Sequence, residues 1–148
     1  MSIIDDIQLS EVLYFLTERM MRQAKDLTKV VFKEHGFEVT LDQWLILKRI
    51  SEKPSIAQID IANSTFKDPA AVTRILDILE RKQLVERQAN VLDRRTYELH
   101  LTDKGFKLVA QITPVVQDIR AQGMKDLSPA EIETTKTVMR KMYQNLSY

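Results

Sequence analysis

The sequence predicts a mostly helical domain of the α+β class, in which several helices surround a single β-hairpin. Three observations predict this fold class. Only three glycines and four prolines occur among 148 residues, so few positions interrupt a helix. Apolar residues recur at three- and four-residue steps along most of the chain, which is the spacing of amphipathic helices. Strict alternation of apolar and polar residues is confined to residues 84–101, where we expect two strands.

The composition is that of one domain, and we take 1–148 as a single unit. Its hydrophobic fraction of 44% suffices for a core, and no apolar run approaches the roughly 20 residues that span a bilayer. The acidic start of the chain does not resemble a signal peptide. There are no cysteines, which excludes disulfides, thiolate metal sites and cysteine nucleophiles. We therefore expect a cytoplasmic protein without membrane contact.

The first helical segment is long, from Leu9 to His35, and Gly36 suits the left-handed residue that ends a helix. Its main apolar stripe comprises Leu9, Val12, Leu13, Leu16, Met20, Leu27 and Val31. Further apolar side chains lie off this stripe: Phe15, Met21 and Val30. A helix that is apolar on more than one face needs two burial surfaces. We expect one to be the core of the domain and the other a second subunit.

Two shorter helices are predicted next. Residues 40–43, "TLDQ", form a capping box, in which a threonine cap is followed three positions later by glutamine. This second helix should end before Pro54. In "SIAQ", Ser55 and Gln58 repeat the same pattern, so we expect a third, short helix that begins at Ile56 and fades near residues 63–64.

The fourth helix has the clearest beginning. Asp68 is a favourable N-cap and Pro69 suits the first helical position. One face is apolar: Val72, Ile75, Leu76 and Leu79. The remaining surface carries small and polar side chains: Ala70, Thr73, Arg74, Asp77 and Arg81. This helix should therefore bury one face and present the other to solvent or a partner.

A β-hairpin follows the fourth helix directly. Leu84–Ala89 and Thr96–Leu101 read as its two strands, joined by the six residues of the loop Asn90–Arg95. The tip of this loop carries two adjacent arginines, Arg94 and Arg95, beside the carboxylate of Asp93.

Two further helices complete the chain. The first begins at Thr102 or Asp103 and has an apolar stripe of Leu108, Ile112, Val115 and Ile119. Pro114 lies inside it and should kink it. The second begins at "SPAE", residues 128–131, which combines a cap, a first-turn proline and a capping-box acid. Its stripe comprises Ile132, Thr135, Met139, Met142 and Leu146.

This order of elements is typical of DNA recognition. A short helix joined tightly to a capped helix forms a helix–turn–helix, and the hairpin behind it is a wing. Ala70 permits close approach to a major groove, while Thr73 and Arg74 can bond to phosphates or base edges. Arginine at a wing tip suits the negative potential of a narrow minor groove, and Asp93 would orient one guanidinium.

Three stretches resemble the MarR family of bacterial winged helix–turn–helix regulators: "VTLDQWLILKRI", "VTRILDILE" and "DRRTYELHLTDKG". The wing pattern of that family, Asp-x-Arg, then a strand and Leu-Thr-x-x-Gly, is matched by Asp93, Arg95, Leu101, Thr102 and Gly105. The chain departs from the family at Gln83, where members often have glycine.

The resemblance implies an architecture and a function. A winged helix–turn–helix with a two-stranded wing would occupy 39–107, and 8–36 and 108–147 would supply dimerisation helices. A homodimer would bind a pseudo-palindromic operator in double-stranded DNA, as a repressor in most members. In many members a small aromatic ligand, bound between the two regions, releases the DNA.

The candidate site residues follow from both arguments. The DNA-contacting set comprises Lys67, Pro69, Ala70, Thr73, Arg74, Asp93, Arg94 and Arg95. Tyr14, Phe15 and Trp44 are candidates for an effector pocket, although all three also suit a core. We expect no cofactor and no metal site, because His35 and His100 lack ligand partners at metal spacing.

Simpler explanations stay open at this stage. The two arginines at the tip can be solvated loop charges, and Arg74 can pair with Asp68 or Asp77 on its own helix. The net charge of +1 is low for a nucleic-acid binder and favours a winged helix that binds protein. An enzyme is the least favoured class, because the chain has no cysteine, no glycine-rich phosphate loop and two unpaired histidines.

Overall fold

A computed structural model describes residues 8–65 and 67–147, and within these ranges it has six α-helices and one antiparallel sheet. The acidic first seven residues, which argued against a signal peptide, lie outside the described ranges. In chain order the elements are α1 (Leu13–Glu34), α2 (Leu41–Glu52), β1 (Ile56–Ala57), α3 (Gln58–Thr65), α4 (Pro69–Arg81), β2 (Val85–Ala89), β3 (Tyr97–Leu101), α5 (Asp103–Gly123) and α6 (Pro129–Leu146). No helix in the described ranges is long and apolar enough to cross a bilayer.

The predicted helix starts are confirmed at four of the six helices. Both capping boxes form, with Thr40 and Gln43 at α2 and with Ser128 and Glu131 at α6. Asp68 caps α4 and Thr102 caps α5. These starts follow from local chemistry, because a side-chain oxygen satisfies a backbone N–H that the helix leaves free.

The first helix begins later than expected. Residues Leu9–Glu11 form one 3₁₀ turn, and Val12 then adopts an extended conformation with φ −77° and ψ 121°. α1 therefore starts at Leu13, without a side-chain cap. The apolar spacing runs through this break, because the spacing of side chains does not report the backbone hydrogen bonds.

The third helix also begins later, and the predicted cap at Ser55 is wrong. Ser55 has a positive φ of 65°. Ile56 and Ala57 form the strand β1, which pairs with β3 through Ile56–Leu99 and Ala57–Glu98. The sheet therefore has three strands in the order β1-β3-β2, and not the expected two. Pairing with the otherwise free edge of β3 outweighs the local capping pattern, and a two-residue strand has no periodicity to detect.

The core lies between α2, α3, α4, the sheet and α5. Its largest fully buried side chains include Trp44, Ile46, Leu47, Ile50, Ile61, Leu76, Leu79, Leu99 and Ile112. The predicted apolar face of α4 is buried or half-buried, and Leu99 and Leu101 of β3 are buried. The hairpin is in register from Val85–Leu101 to Ala89–Tyr97. The wing is thus anchored at its base by the core, and its tip extends beyond it.

The buried face of α5 differs from the predicted stripe. Gly105, Val109, Ile112 and Val116 are buried, whereas Leu108, Val115 and Ile119 are only half-buried. α5 has two adjoining apolar faces, and the spacing of its apolar residues alone does not indicate which face packs against the core. Pro114 lies within α5, as predicted.

The turn after α4 has the geometry of a Schellman motif. The N–H of Leu84 donates to the carbonyl of Leu79 at 2.9 Å, and that of Gln83 donates to Glu80 at 2.9 Å. Gln83 has a φ of 60°, which is the left-handed conformation that glycine adopts without strain. Gln83, which stands where members of the family often have glycine, therefore adopts the backbone conformation that glycine would favour.

Replacing Gln83 with glycine is expected to stabilise the protein by about 0.5–1 kcal/mol, because it removes the left-handed strain of a side chain. Urea denaturation at a fixed protein concentration measures the change. Gln111→Gly, at an exposed position within α5, is the matched control and should destabilise by about 1 kcal/mol. Equal destabilisation by both substitutions would contradict the strain at Gln83.

Candidate nucleic-acid interface

The N-terminal end of α4 projects from the core. The side chain of Asp68 accepts a hydrogen bond from the N–H of Ala71 at 3.2 Å, and Pro69 occupies the first turn. Val72 and Leu76 are fully buried on the inner face. Because the inner face is fixed, Pro69, Ala70, Thr73 and Arg74 are all held on the exposed face.

The hydroxyl of Thr73 is oriented by two hydrogen bonds. It donates to the carbonyl of Pro69 at 3.0 Å and accepts from the side-chain amide of Gln58 at 3.0 Å. Gln58 begins α3, so this contact joins the two helices of the helix–turn–helix. One lone pair of the hydroxyl stays available to a ligand. Sequence reasoning missed this role, because it assigned Gln58 to a capping box.

Arg74 is an exposed cation that makes no hydrogen bond or ion pair with the described part of the chain. The two carboxylates suggested as its partners are engaged elsewhere. Asp68 caps α4, and Asp77 forms an ion pair with Arg87 at 2.7 Å. The alternative of a pair within the helix is therefore wrong.

Lys67 differs from Arg74, since its charge is already paired. Its ammonium group lies 2.7 Å from the carboxylate of Asp42 at the start of α2, and its side chain is only 19% exposed. The ion pair ties the segment before α4 to α2. Lys67 should therefore attract an anion less strongly than Arg74 does.

Arg87 joins the wing to α4, and the sequence did not single it out. From β2 its guanidinium reaches Asp77 at 2.7 Å, Glu80 at 3.4 Å and the carbonyl of Thr73 at 3.4 Å. Its side chain is 18% exposed. Arg87 lies on the same face of β2 as the buried Val85. A charged residue at an inward-facing strand position is the one feature of the sequence that could have indicated this role.

The tip of the wing is organised by Asp93. Its carboxylate accepts from the backbone N–H of Arg95 at 3.1 Å and from Nε of the Arg95 guanidinium at 3.1 Å. The predicted orientation of one guanidinium by Asp93 is therefore confirmed. The side chain of Arg95 stays 91% exposed. Arg94, also exposed, has no hydrogen-bond partner among the described residues.

These hydrogen bonds lower the pKa of Asp93 below its ordinary value of 3.8, the side-chain bond from Arg95 having the largest effect. A lowered pKa means that the ordered tip persists above pH 3.8 and is lost as the pH falls through the pKa of the folded state. A pH titration followed by NMR at the side-chain carboxyl carbon should give a midpoint below 3.8. In Arg95→Ala the midpoint should rise towards the ordinary value. An unchanged midpoint would show that the two side chains do not interact in solution.

The wing and α4 line one cleft of about 620 Å³. Thr73 and Asp77 form its α4 side, and Arg87, Arg95 and Tyr97 form its wing side. The structure thus brings Thr73 of α4 and Arg95 of the wing, which lie 22 positions apart in the sequence, to one cleft. A polyanion lying across this cleft would meet Thr73 of α4 and Arg95 of the wing, while the carboxylates of Asp77 and Glu80 are paired with Arg87.

A second cavity, of about 310 Å³, lies between α2, the end of α3 and α5. Its lining includes Trp44 and Arg120, and the guanidinium carbon of Arg120 lies 5.7 Å from the centre of the Trp44 ring. Trp44 is buried, and its indole N–H has no hydrogen-bond partner in the described residues. Tyr14 and Phe15, which were predicted to share an effector pocket with Trp44, are exposed on α1 and do not line this cavity.

The two histidines take structural positions. Nδ1 of His35 lies 2.9 Å from the carbonyl of Val31 at the end of α1, and His100 lies 3.7 Å from the carboxylate of Glu98. Within the described ranges, no three His, Cys, Asp or Glu side chains are grouped so that they could hold a metal ion.

A helix pair followed by an antiparallel wing, with guanidinium groups on both, defines a winged helix–turn–helix protein. Residues 39–97 match the model of the MarR family. The resemblance inferred from the sequence is confirmed: the chain carries the winged helix–turn–helix of the MarR family within the fold of that family. The family is one of transcription regulators and not of enzymes.

Solved structures extend this similarity to almost the whole chain. MepR of S. aureus, in complex with DNA, is 26% identical over 90% of this chain and 98% of MepR, with a TM-score of 0.83. A mutant MarR of E. coli, complexed with operator DNA, is 26% identical over 88% of this chain and 92% of that one, with a TM-score of 0.80. BpsR of Bordetella bronchiseptica, whose DNA binding is regulated by 6-hydroxynicotinic acid, shares the fold at 23% identity, 92% and 96% coverage and a TM-score of 0.84.

Proposed function

We propose that this chain is a DNA-binding transcription regulator that binds a pseudo-palindromic operator as a homodimer and represses transcription. The observation that carries the proposal is the cleft that Thr73 on the exposed face of α4 shares with Arg95 of the wing. Two of its relatives were solved in complexes with DNA, which supports the same partner here. A transcription regulator acts where the chromosome is, so the proposed location is the bacterial cytoplasm.

The residue roles follow from exposure and charge. Ala70 allows α4 to approach the floor of a major groove, where Thr73 and the unpaired Arg74 contact base edges or phosphates. Pro69 and Lys67 lie at the phosphate backbone beside the start of α4. Arg94 and Arg95 enter the adjacent minor groove, and Asp93 restricts the rotamers of Arg95.

The homodimer is supported by apolar side chains that the single chain leaves in solvent. The beginning of α1 exposes Leu13, Leu16, Met20 and Met21, and α6 exposes Val138, Met139, Tyr143 and Leu146. No residue of α6 is fully buried. Since an isolated amphipathic helix is marginal in water, α6 needs a partner for its apolar face. We infer that 8–36 and 108–147 form the dimer, and that two copies of 39–107 face the DNA.

A ligand that releases the DNA is a further part of the proposal. The cavity at Trp44 lies between the proposed dimer region and the winged helix, and Arg120 provides a cation over the indole ring. Lys48 and Arg49 line the same cavity but are already paired with Glu52, at 3.5 and 3.2 Å. An aromatic carboxylate of salicylate size suits this combination. Operator affinity measured with and without a panel of such acids tests this point, and no change across the panel would indicate a ligand-independent regulator.

Selection of bound fragments from random duplexes tests the proposed function. We expect a two-fold symmetric consensus, and binding that weakens steeply with salt as phosphate counterions are released. A winged helix that binds protein is the alternative, and the net charge of +1 favours it. That alternative predicts no enrichment of any sequence and no retention on duplex DNA at low ionic strength.

A further inference from the structure

The tip of the wing holds two aliphatic side chains almost entirely in water. Val91 is 94% exposed and Leu92 is 96% exposed. The next most exposed large apolar side chain among the described residues is Leu9, at 69%. Leu9 belongs to the proposed dimer region, whereas Val91 and Leu92 lie at the tip of the wing. Their exposure is thus unexplained by the core or by dimerisation.

These two side chains project from an ordered turn. The side-chain oxygen of Asn90 accepts from the N–H of Leu92 at 2.8 Å, and the N–H of Asn90 donates to Thr96 at 3.0 Å. The N–H of Thr96 in turn donates to the carbonyl of Asp93 at 3.1 Å. Turn formation favours Gly, Asn, Asp and Ser, and nothing in this hydrogen-bond pattern calls for valine or leucine. The turn therefore exposes Val91 and Leu92, although its hydrogen bonds require neither side chain.

We propose that Val91 and Leu92 make an apolar contact inside the minor groove that the wing enters. This inference rests on the proposed function. The charges beside the pair identify the occupant: Arg94 makes no ion pair with a described residue, and Arg95 is 91% exposed and lines the cleft shared by α4 and the wing. Two guanidinium groups flanking an apolar tip suit a negatively charged groove with deoxyribose walls, where other proteins insert aliphatic side chains.

The contact also gives the wing a sequence preference. The minor-groove edge of an A·T pair carries only acceptors, whereas G·C adds the exocyclic amino group of guanine. An aliphatic side chain cannot accept a hydrogen bond from that amino group, and burying it without a partner is unfavourable. Val91 and Leu92 therefore favour A·T pairs where the wing meets the operator, beyond the preference that arginine alone confers.

The test is the double substitution Val91→Ser with Leu92→Ser, using a duplex selected by the wild-type protein. We expect about tenfold weaker binding, from loss of partial burial of two aliphatic side chains. The salt dependence should be unchanged, because no cation is removed. A fragment selection repeated with this variant should show a weaker A·T preference at the outer positions, reduced to the part that Arg94 and Arg95 confer. The matched control, Val91→Ile with Leu92→Met, keeps the apolar surface and should bind within about twofold of wild type.

The outcomes separate this inference from the proposed function. Binding by the double serine variant within twofold of wild type, with the same consensus, would overturn the minor-groove contact and leave DNA binding intact. Failure of the wild-type protein to bind any duplex would instead overturn the proposed function. Since both side chains lie outside the core, circular dichroism melts should show equal stability for wild type and both variants.

Discussion

Replacing Arg95 with alanine is expected to weaken operator binding by about 5- to 150-fold, the effect of losing a contact of about 1–3 kcal/mol. The side chain of Arg95 is 91% exposed, yet its Nε lies 3.1 Å from Oδ1 of Asp93 and is bonded to that carboxylate. Its guanidinium is therefore partly ordered before DNA binds, which reduces the entropy lost on binding. Fluorescence anisotropy at fixed salt measures the affinity. In a salt series, the slope of the logarithm of the binding constant against the logarithm of the salt concentration should be shallower than that of wild type by about one.

Arg22→Ala is the matched control for this prediction. Arg22 lies on α1 with a side chain 77% exposed and pairs with Glu18 at 3.9 Å, outside the cleft and the wing. Since α1 belongs to the proposed dimer region, sedimentation at the assay concentration should show the same dimer for Arg22→Ala and for wild type. Both variants remove one positive charge, so a pure effect of net charge would weaken binding equally in both. We expect Arg22→Ala to bind within about twofold of wild type. Equal losses in the two variants would contradict the role assigned to the wing.

Replacing Gly105 with alanine should destabilise the fold by about 3 kcal/mol, the upper range for overpacking a tightly packed site. A Cβ at Gly105 would lie 2.2 Å from the carbonyl oxygen of Leu84. That carbonyl already accepts from the N–H of Thr102 at 3.2 Å, and the Thr102 hydroxyl accepts from the N–H of Gly105 at 3.0 Å. The new methyl group would thus meet backbone that cannot move without breaking the junction between α4, the wing and α5. The glycine of the Leu-Thr-x-x-Gly pattern has a steric explanation here.

Gly123→Ala provides the comparison, since a Cβ there meets no atom of the residues that the structure describes within 4 Å. It should leave stability unchanged or raise it by up to about 1 kcal/mol, because alanine has the lower conformational entropy in the unfolded chain. Denaturant melts of the three proteins at equal concentration measure both effects. A Gly105→Ala protein as stable as Gly123→Ala would contradict the close packing of α5 against the carbonyl of Leu84.

Sequence reasoning succeeded where the determinants are local. The caps at Thr40, Asp68, Thr102 and Ser128 each depend on residues within three positions, and all four formed as predicted. The carboxylate of Asp93 bonded to Arg95 is another interaction within the same short stretch. The exposed face of α4 followed from the period of its buried residues.

Sequence reasoning failed where a residue's structure or contacts depend on an element distant in the chain. Ile56 becomes a strand because it meets Leu99, more than 40 positions later in the chain. Gln58 and Arg87 both act on α4 from other elements, so neither role has a local signature. Trp44 meets Arg120 across the fold, while Tyr14 and Phe15, grouped with it on chemistry alone, lie elsewhere. Sequence spacing cannot report such contacts.

Hydroxyl-radical footprinting of the selected operator, combined with sedimentation of the complex, tests the central proposal most directly. We predict one dimer for each duplex and two protected segments, related by two-fold symmetry and centred about 10–10.5 base pairs apart on one face of the DNA. The outer flanks should show minor-groove protection at the wings. One chain on each duplex, or an asymmetric footprint of a single segment, would contradict the account.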